Sequence, residues 1–230
     1  MRGHLLLAVP AALLLACAGC GTEQRAPGAD TTASAAAAGT TTAAPSAAAP
    51  VAVFLGDSHT AASDDGGGYA LRTAAAMGWT PVLEGVGATG YATTNGSGGG
   101  TYAERLEAVV AAAPDVVVVQ GSINDVHSPP AAVRSGADAV YGELARRLPG
   151  SDVVVVGPPA APGVPEAAVL AVRDEVQRAA AAAGVLFLDP VAGGWLAPAD
   201  GKYADPYHPN DVGYAVFADQ LVAALRAAGL

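Results

Sequence analysis

Five short apolar runs recur between residues 51 and 189, and a polar or helix-like segment follows each of them. The runs are VAVFL (51–55), PVLEGV (81–86), DVVVVQ (115–120), DVVVVG (152–157) and VLFLD (185–189). Runs of Val and Leu without polar alternation are typical of strands that are buried on both faces of a parallel sheet. Since the stretches between the runs are long enough for helices, the pattern predicts a three-layer α/β/α domain.

Five segments between and after these runs are predicted to be helices. They lie near residues 68–78, 101–112, 130–148, 165–183 and 210–228. Pro130 and Pro165 stand where a helix tolerates proline, because the first turn has no intrahelical acceptor for its N–H groups. Gly78 and Gly184 fall near predicted helix ends, where glycine commonly stops a helix. Residues 51–230 are therefore predicted to form one domain.

Residues 1–20 have the pattern of a secretory signal peptide. Arg2 precedes an apolar segment that is too short to be a good membrane span, and small residues follow that segment. The end of this region, Ala18-Gly19-Cys20, also resembles the lipobox of bacterial lipoproteins, in which the Cys becomes the lipid-bearing N-terminus. We expect lipidation at Cys20, with Cys17 in the overlapping LLAC as the alternative. An ordinary cleaved signal is the other interpretation.

Residues 21–50 consist almost entirely of Ala, Thr, Ser, Pro and Gly. Such a segment cannot bury enough apolar area to offset the entropy lost on ordering, so it is predicted to be a disordered tether. The formal net charge of the chain is −10, and no cluster of Lys and Arg interrupts it. This charge excludes nucleic acid and anionic membrane surfaces as expected partners. Both Cys residues lie in the leader, which leaves the domain without disulfides.

Four polar clusters stand just after predicted strands or just before the last helix. They contain Ser58 in GDSH, Gly87 in GATG, Asn124 in SIND, and Asp205 with His208 in DPYH. Ligands of open α/β sheets bind outside the carboxyl ends of the strands. We therefore expect these residues to meet at one edge of the sheet.

The residue types in these clusters suit nucleophilic catalysis on an acyl group. A serine hydroxyl needs a base to take its proton, imidazole is suited to that role, and a carboxylate fixes the imidazole tautomer. Ser58, His208 and Asp205 fit these three roles. The N–H of Gly87 and the amide of Asn124 are candidate donors to the oxyanion. For Ser58, the alternative interpretation is a turn or N-cap residue.

Two other histidines are candidate bases and are less suited to that role than His208. His59 is adjacent to Ser58 in the sequence, so its ring is expected to diverge from the hydroxyl, and His127 follows the third cluster. We expect both to line the substrate pocket, together with Tyr207.

The four clusters together resemble the motifs of the SGNH hydrolases, also called GDSL esterases and lipases. The residues that name the family correspond to Ser58, Gly87, Asn124 and His208, with Asp205 as the partner of His208. The resemblance covers residues 51–230 and implies a flavodoxin-like sheet of five parallel strands. It also implies the backbone N–H of Ser58 as a third oxyanion donor, and neither a metal nor an organic cofactor.

Three positions depart from the family pattern. His59 stands where the family usually has Leu, Gly85 where it has Asn, and Ser122 where it has Gly. None of these changes removes a catalytic atom, so they bear on the shape of the pocket and therefore on the substrate.

The expected function is hydrolysis of carboxylic esters through an acyl-enzyme, with small-acyl esters or O-acetylated carbohydrate as substrates. The alternatives are a lipid esterase or lysophospholipase, an acyltransferase of the same family, and a non-catalytic envelope protein that binds glycans. The expected partner is a small-molecule ester, the protein is expected to be a monomer, and membrane contact is expected only through the lipid anchor. The expected location is the outer face of the cell membrane, or the medium if the chain is not lipidated.

Overall fold

Five parallel strands form the sheet of the computed structural model, which describes residues 48–62, 68–197 and 199–230. In chain order, β1 to β5 are Val51–Gly56, Thr80–Gly85, Val116–Gln120, Asp152–Val156 and Leu186–Leu188. Their order across the sheet is β2-β1-β3-β4-β5, and each neighbouring pair is parallel. The predicted α/β class and the flavodoxin-like order are confirmed.

The apolar runs form strands because both faces of the sheet are covered. In β1, Ala52 and Phe54 belong to the core on one face, while Val53 and Leu55 belong to the core on the other. All five residues of β3 are buried. A strand with two buried faces loses the alternation of apolar and polar residues, which explains the pattern in the sequence.

Outside the strands, the described residues form six α-helices and two short 3₁₀ turns, which loops connect. In chain order, α1 to α6 are Ser58–Ala61, Tyr69–Met77, Leu106–Ala111, Pro130–Arg147, Glu166–Ala183 and Asp211–Ala227. Helices α2 and α6 pack on one face of the sheet, and α3, α4 and α5 pack on the other. Gly78 and Gly184 end α2 and α5 in the left-handed conformation, with φ of 72° and 69°.

Two short elements do not follow from the sequence pattern. Helix α1 has four residues, and a 3₁₀ turn covers Ile123–His127. The segment predicted as a helix from residue 101 begins as a 3₁₀ turn, Ala103–Arg105, before α3. One helical turn is too short to show a period of 3.6 residues, so these elements give no signal of their own.

The chain order creates a crevice at the carboxyl end of β1. From β1 the chain passes to β2 on one side and then to β3 on the other, which is the topological switch point of such sheets. The predicted signal peptide (1–20) and most of the predicted tether (21–50) lie outside the described residues. Within the described ranges, no helix combines the length and the apolar character that a bilayer span requires.

Candidate active site

Ser58 is the first residue of α1 and follows β1 through a sharp turn. Gly56 makes this turn possible, because a Cβ there would lie 2.0 Å from Thr60 Oγ1 and 2.7 Å from Gln120 Oε1. Asp57 is the N-cap, and its Oδ1 accepts the N–H of His59 at 2.9 Å. The nucleophile candidate is therefore fixed at the carboxyl end of β1, and capping is the role of Asp57 rather than of Ser58.

The predicted serine, histidine and aspartate form a continuous hydrogen-bonded chain. Ser58 Oγ lies 2.9 Å from His208 Nε2, and His208 Nδ1 lies 2.8 Å from Asp205 Oδ2. An ionised carboxylate only accepts hydrogen bonds, so Nδ1 carries the hydrogen and Nε2 is free to take the proton of Ser58. These distances fit what a nucleophile, a general base and an orienting acid require.

Asp205 is held in the ionised form by its own turn. The hydrogen bond from His208 and those from the backbone N–H groups of Tyr207 and His208 lower the pKa of Asp205 to about 2. The two backbone bonds are both 2.7 Å long and reach Oδ1, which leaves Oδ2 for the imidazole. The orienting carboxylate therefore keeps its charge throughout the neutral and mildly acidic range.

Hydrogen bonds join the two ends of the loop that carries Asp205 and His208, and others connect this loop to the start of α6. Tyr203 and Pro209 form an antiparallel bridge, and the N–H of Ala204 donates to the carbonyl of His208 at 2.9 Å. Asn210 caps α6 by accepting the N–H of Gly213 at 3.0 Å, and its Nδ2 donates to the carbonyl of Gly201 at 2.9 Å. Asn210 thus helps to position the loop of the site. In the sequence it could have been identified as a helix N-cap, because it directly precedes the last predicted helix.

The candidate oxyanion donors lie next to the nucleophile. A Cβ on Gly87 would have Ser58 Cβ as its nearest neighbour, at 3.7 Å. Asn124 Nδ2 lies 3.0 Å from the carbonyl of Thr89 and 3.3 Å from Asp57 Oδ2. A side-chain amide has two N–H groups, so one shared between these acceptors leaves the other for an ester oxygen. The N–H of Ser58 lies in a first helical turn, where it has no intrahelical acceptor.

A groove with a volume of about 710 Å³ joins these groups. Ser58, Gly87, Asn124 and His208 all line it, as do His127 and Tyr207, which were predicted to be pocket residues. Within the described ranges, no group of three or more His, Cys, Asp or Glu side chains is placed to hold a metal ion.

His59 does not line the groove, and its predicted pocket position is corrected. The side chain is buried, with 3% of the residue exposed, and its Nδ1 lies 3.2 Å from Asp57 Oδ1. Its ring centroid is 5.5 Å from that of His208. The bond to the N-cap carboxylate turns the ring into the protein, beneath the catalytic histidine.

The loop after β2 contributes groove residues that sequence reasoning did not identify. Thr93, Thr94 and Asn95 line the groove. Asn95 Oδ1 accepts the N–H groups of Ser97 at 2.9 Å and Gly99 at 3.1 Å, while its Nδ2 donates to the carbonyl of Gly87 at 3.3 Å. Residues 95–100 are mostly glycine, and nothing in the sequence pattern shows which side chains reach the site.

Comparisons with known proteins agree with the motifs. The model of the GDSL-like lipase/acylhydrolase family matches residues 54–216. A GDSL lipase of Mycobacterium tuberculosis is 33% identical over 180 residues, which are 73% of this chain and 78% of the relative. The solved structures that share the fold include an acetyl xylan esterase, with 20% identity, a TM-score of 0.64 and coverage of 76% of this chain and 98% of that one. They also include a carbohydrate acetylesterase from Sinorhizobium meliloti, with 17% identity, a TM-score of 0.64 and coverage of 78% and 99%. The family resemblance seen in the motifs is confirmed: the chain belongs to the GDSL-like lipase/acylhydrolase family and is an ester-hydrolysing enzyme.

Proposed function

We propose that the protein is a serine esterase whose substrates are small-acyl esters, with O-acetyl groups on carbohydrate as the principal class. The observation that carries the proposal is the chain of hydrogen bonds from Ser58 through His208 to Asp205, which opens onto a groove lined by both polar and apolar side chains. The triad supports the chemistry, and the polar groups of the groove support the proposed substrate class.

In the acylation half of the reaction, Ser58 Oγ attacks the carbonyl carbon of the ester as its proton passes to His208 Nε2. The carbonyl oxygen becomes an oxyanion, which accepts hydrogen bonds from Asn124 and the N–H groups of Gly87 and Ser58. Asp205 stabilises the imidazolium that has formed. When the tetrahedral intermediate collapses, the C–O bond to the alcohol breaks, and the alcohol leaves with the proton held by His208.

Deacylation uses the same groups with water in place of Ser58. His208 Nε2 takes a proton from the water as its oxygen attacks the acyl carbon. The second tetrahedral intermediate releases the carboxylic acid, and Ser58 Oγ recovers its proton from His208. Acyl transfer to an alcohol is the same step with an alcohol in place of water.

The groove walls support a carbohydrate alcohol. Tyr207, next to the catalytic histidine, has 48% of its surface exposed, and such a ring can pack against the apolar face of a sugar. Thr94, Asn95 and His127 add hydrogen-bonding groups around the groove. Two proteins of the same fold are named as an acetyl xylan esterase and a carbohydrate acetylesterase, which favours the same substrate class.

A lipid ester is the second candidate substrate, because a largely apolar cavity adjoins the groove. This cavity has a volume of about 350 Å³, and it shares Val164 with the groove. Val169, Val191 and Leu196 are among its lining residues. A longer acyl chain that reached this cavity would bury apolar surface there. The name of the curated relative, a GDSL lipase, supports this candidate.

Hydrolysis of p-nitrophenyl acetate, butyrate and octanoate tests both candidates. We expect kcat/KM to be highest for the acetate, and acetate to be released from acetylated xylan oligosaccharides. Ser58→Ala is expected to lower kcat by roughly 10³-fold or more, because it removes the nucleophile.

Ser151→Ala is the matched control, because the hydroxyl of Ser151 donates to the carbonyl of Pro114 at the opposite end of the sheet. Its rate is expected to equal that of the wild type. Equal rates for the wild type and Ser58→Ala would overturn the esterase mechanism and favour the glycan-binding alternative. A preference for the octanoate would replace the small-acyl substrate with the lipid ester.

A further inference from the structure

Two positions that depart from the family pattern contact the same buried carboxylate. His59 and Ser122 stand where the family usually has Leu and Gly, and both lie against the side chain of Asp57. Asp57, whose residue surface is 0% exposed, lies between the nucleophile and the strand end. These two departures therefore concern the support of the active site rather than the groove wall.

The hydrogen bonds to Asp57 occupy both of its carboxylate oxygens. Oδ1 accepts the N–H of His59 at 2.9 Å and lies 3.2 Å from Nδ1 of the same residue. Oδ2 accepts the hydroxyl of Ser122 at 2.7 Å and lies 3.3 Å from Asn124 Nδ2. An ionised carboxylate offers about four acceptor sites, and four donors are present.

This environment keeps the buried carboxylate charged. Burial raises the pKa of Asp57, but the attraction of His59 and the hydrogen bonds from His59 and Ser122 outweigh burial, and the pKa lies below its ordinary value. A buried charge without such partners would be costly, so removal of either donor is expected to disturb the position of Asp57.

The same group holds Asn124 at two points. Ser122 Oγ accepts the backbone N–H of Asn124 at 3.0 Å. The carbonyl of Thr89 lies 2.8 Å from Ser122 Oγ and 3.0 Å from Asn124 Nδ2. Asp57 Oδ2 and the carbonyl of Thr89 are both acceptors for Asn124 Nδ2 and share one of its N–H groups. The direction of the N–H that is left for the substrate therefore depends on where the Asp57 carboxylate lies.

We propose that His59 and Ser122 are positioning residues that hold Asp57 where it orients the Asn124 amide toward the substrate oxyanion. The proposal rests on the proposed esterase function. Leu at position 59 would leave Oδ1 with the backbone N–H alone, and Gly at position 122 would leave Oδ2 with Asn124 alone. The two departures thus supply two of the three side-chain donors to this carboxylate, and Asn124 is the third.

The structure also indicates a conservative replacement for His59. Its Nε2 is buried and has no hydrogen-bond partner among the described residues, so only Nδ1 makes a polar contact of the ring. The amide nitrogen of Asn is the same number of bonds from Cβ as Nδ1 of His. His59→Asn can therefore keep the bond to Asp57, whereas His59→Leu cannot.

Steady-state kinetics on p-nitrophenyl acetate with the full-length protein test the proposal. For His59→Leu we expect kcat to fall roughly 10- to 100-fold while KM changes less than about twofold, because oxyanion donors act in the transition state. Ser122→Ala is likewise expected to lower kcat while KM changes little. His59→Asn is expected to keep kcat within about threefold of the wild type, and Ser151→Ala to leave it unchanged.

A double-mutant cycle with Asn124→Ala identifies the route of the effect. If His59 acts through Asn124, His59→Leu will lower kcat little further in the Asn124→Ala background. A full, additive loss there would instead assign the effect to the contact of the His59 ring with that of His208, and would overturn the proposal.

Two other results would also overturn it: unchanged kcat in both His59→Leu and Ser122→Ala, or equal losses in His59→Asn and His59→Leu. If His59→Leu does not fold, Ser122→Ala replaces it in the double-mutant cycle with Asn124→Ala. Failure of the esterase function itself is distinguishable, because it would appear as wild-type activity in Ser58→Ala.

Discussion

At the scale of single residues, the site depends on two carboxylates in opposite surroundings. Asp57 is fully buried and is kept charged by side-chain and backbone donors, while the Asp205 side chain is 47% exposed and is kept charged by its own turn. In the proposed mechanism, the first supports Asn124 as an oxyanion donor, and the second orients His208 as the base. Hydrogen bonds and the charge of a neighbouring histidine lower the pKa of each carboxylate.

The depressed pKa of Asp205 predicts a simple dependence of activity on pH. The pKa of about 2 lies below the ordinary value of an aspartate, so Asp205 stays ionised as the pH falls and is protonated only near its folded-state pKa. Between about pH 9 and pH 4 we therefore expect no loss of kcat/KM that is caused by protonation of Asp205.

The measurement is kcat/KM on p-nitrophenyl acetate across that range, with circular dichroism at each pH to exclude unfolding. An inflection of kcat/KM near the ordinary pKa of an aspartate would show that Asp205 titrates in the working range and would contradict its assignment.

At the scale of elements, the short helix α1 sets the geometry of the nucleophile by lying directly on the end of β2. Gly85 makes this approach possible, because a Cβ there would lie 2.3 Å from the backbone N and 2.7 Å from the Cα of Ala61. The family usually has Asn at this position, so the third departure in the sequence has a steric reason. A side chain at position 85 would push α1, and Ser58 with it, away from the strand.

Gly85→Ala is therefore expected to lower both stability and activity. Overpacking of this kind costs about 1–3 kcal/mol of the free energy of unfolding, and a small shift of Ser58 can lower kcat roughly 100-fold. The matched control is Gly142→Ala in α4, where a Cβ meets no heavy atom within 4 Å and alanine is expected to stabilise the helix by about 0.5–1 kcal/mol. Chemical denaturation and the esterase assay measure the two effects, and equal behaviour of both variants would contradict the steric argument.

The sequence pattern predicts the long elements of the fold and not the short ones. Strands covered on both faces and helices of several turns leave apolar runs and capping residues, so the five strands and the five longer helices are predictable. Helix α1 and the turn Ile123–His127 are too short for a period, and their course depends on contacts from distant segments. The direction of the His59 ring depends on such a contact, and for that reason its predicted place in the pocket was wrong.

At the scale of the whole molecule, the sheet topology brings together residues that are far apart in the sequence. Ser58 and His208 are 150 positions apart, yet they share a hydrogen bond of 2.9 Å. The triad is predictable because parallel strands end at a common edge, so residues that follow strands converge. The groove walls are not predictable in this way, because Thr94 and Asn95 reach the groove through an irregular loop whose path is fixed by local hydrogen bonds.

The lipid anchor is the remaining prediction at this scale, and the charge of the protein makes it testable. With a formal net charge of −10, the chain has no electrostatic attraction to anionic lipids, so membrane binding depends on acyl chains alone. Each buried methylene contributes about 0.8 kcal/mol, and stable anchoring requires more than one chain.

We expect the full-length protein to remain with bacterial membranes in high salt and to be released by detergent. Mass spectrometry of the mature N-terminus is expected to show an acylated Cys20. Cys20→Ala is expected to release the protein into the soluble fraction, while Cys17→Ala stays bound, and the reverse result would move the lipid to Cys17. An unmodified N-terminus at any other residue would show that the leader is an ordinary cleaved signal, and the esterase would then act away from the membrane.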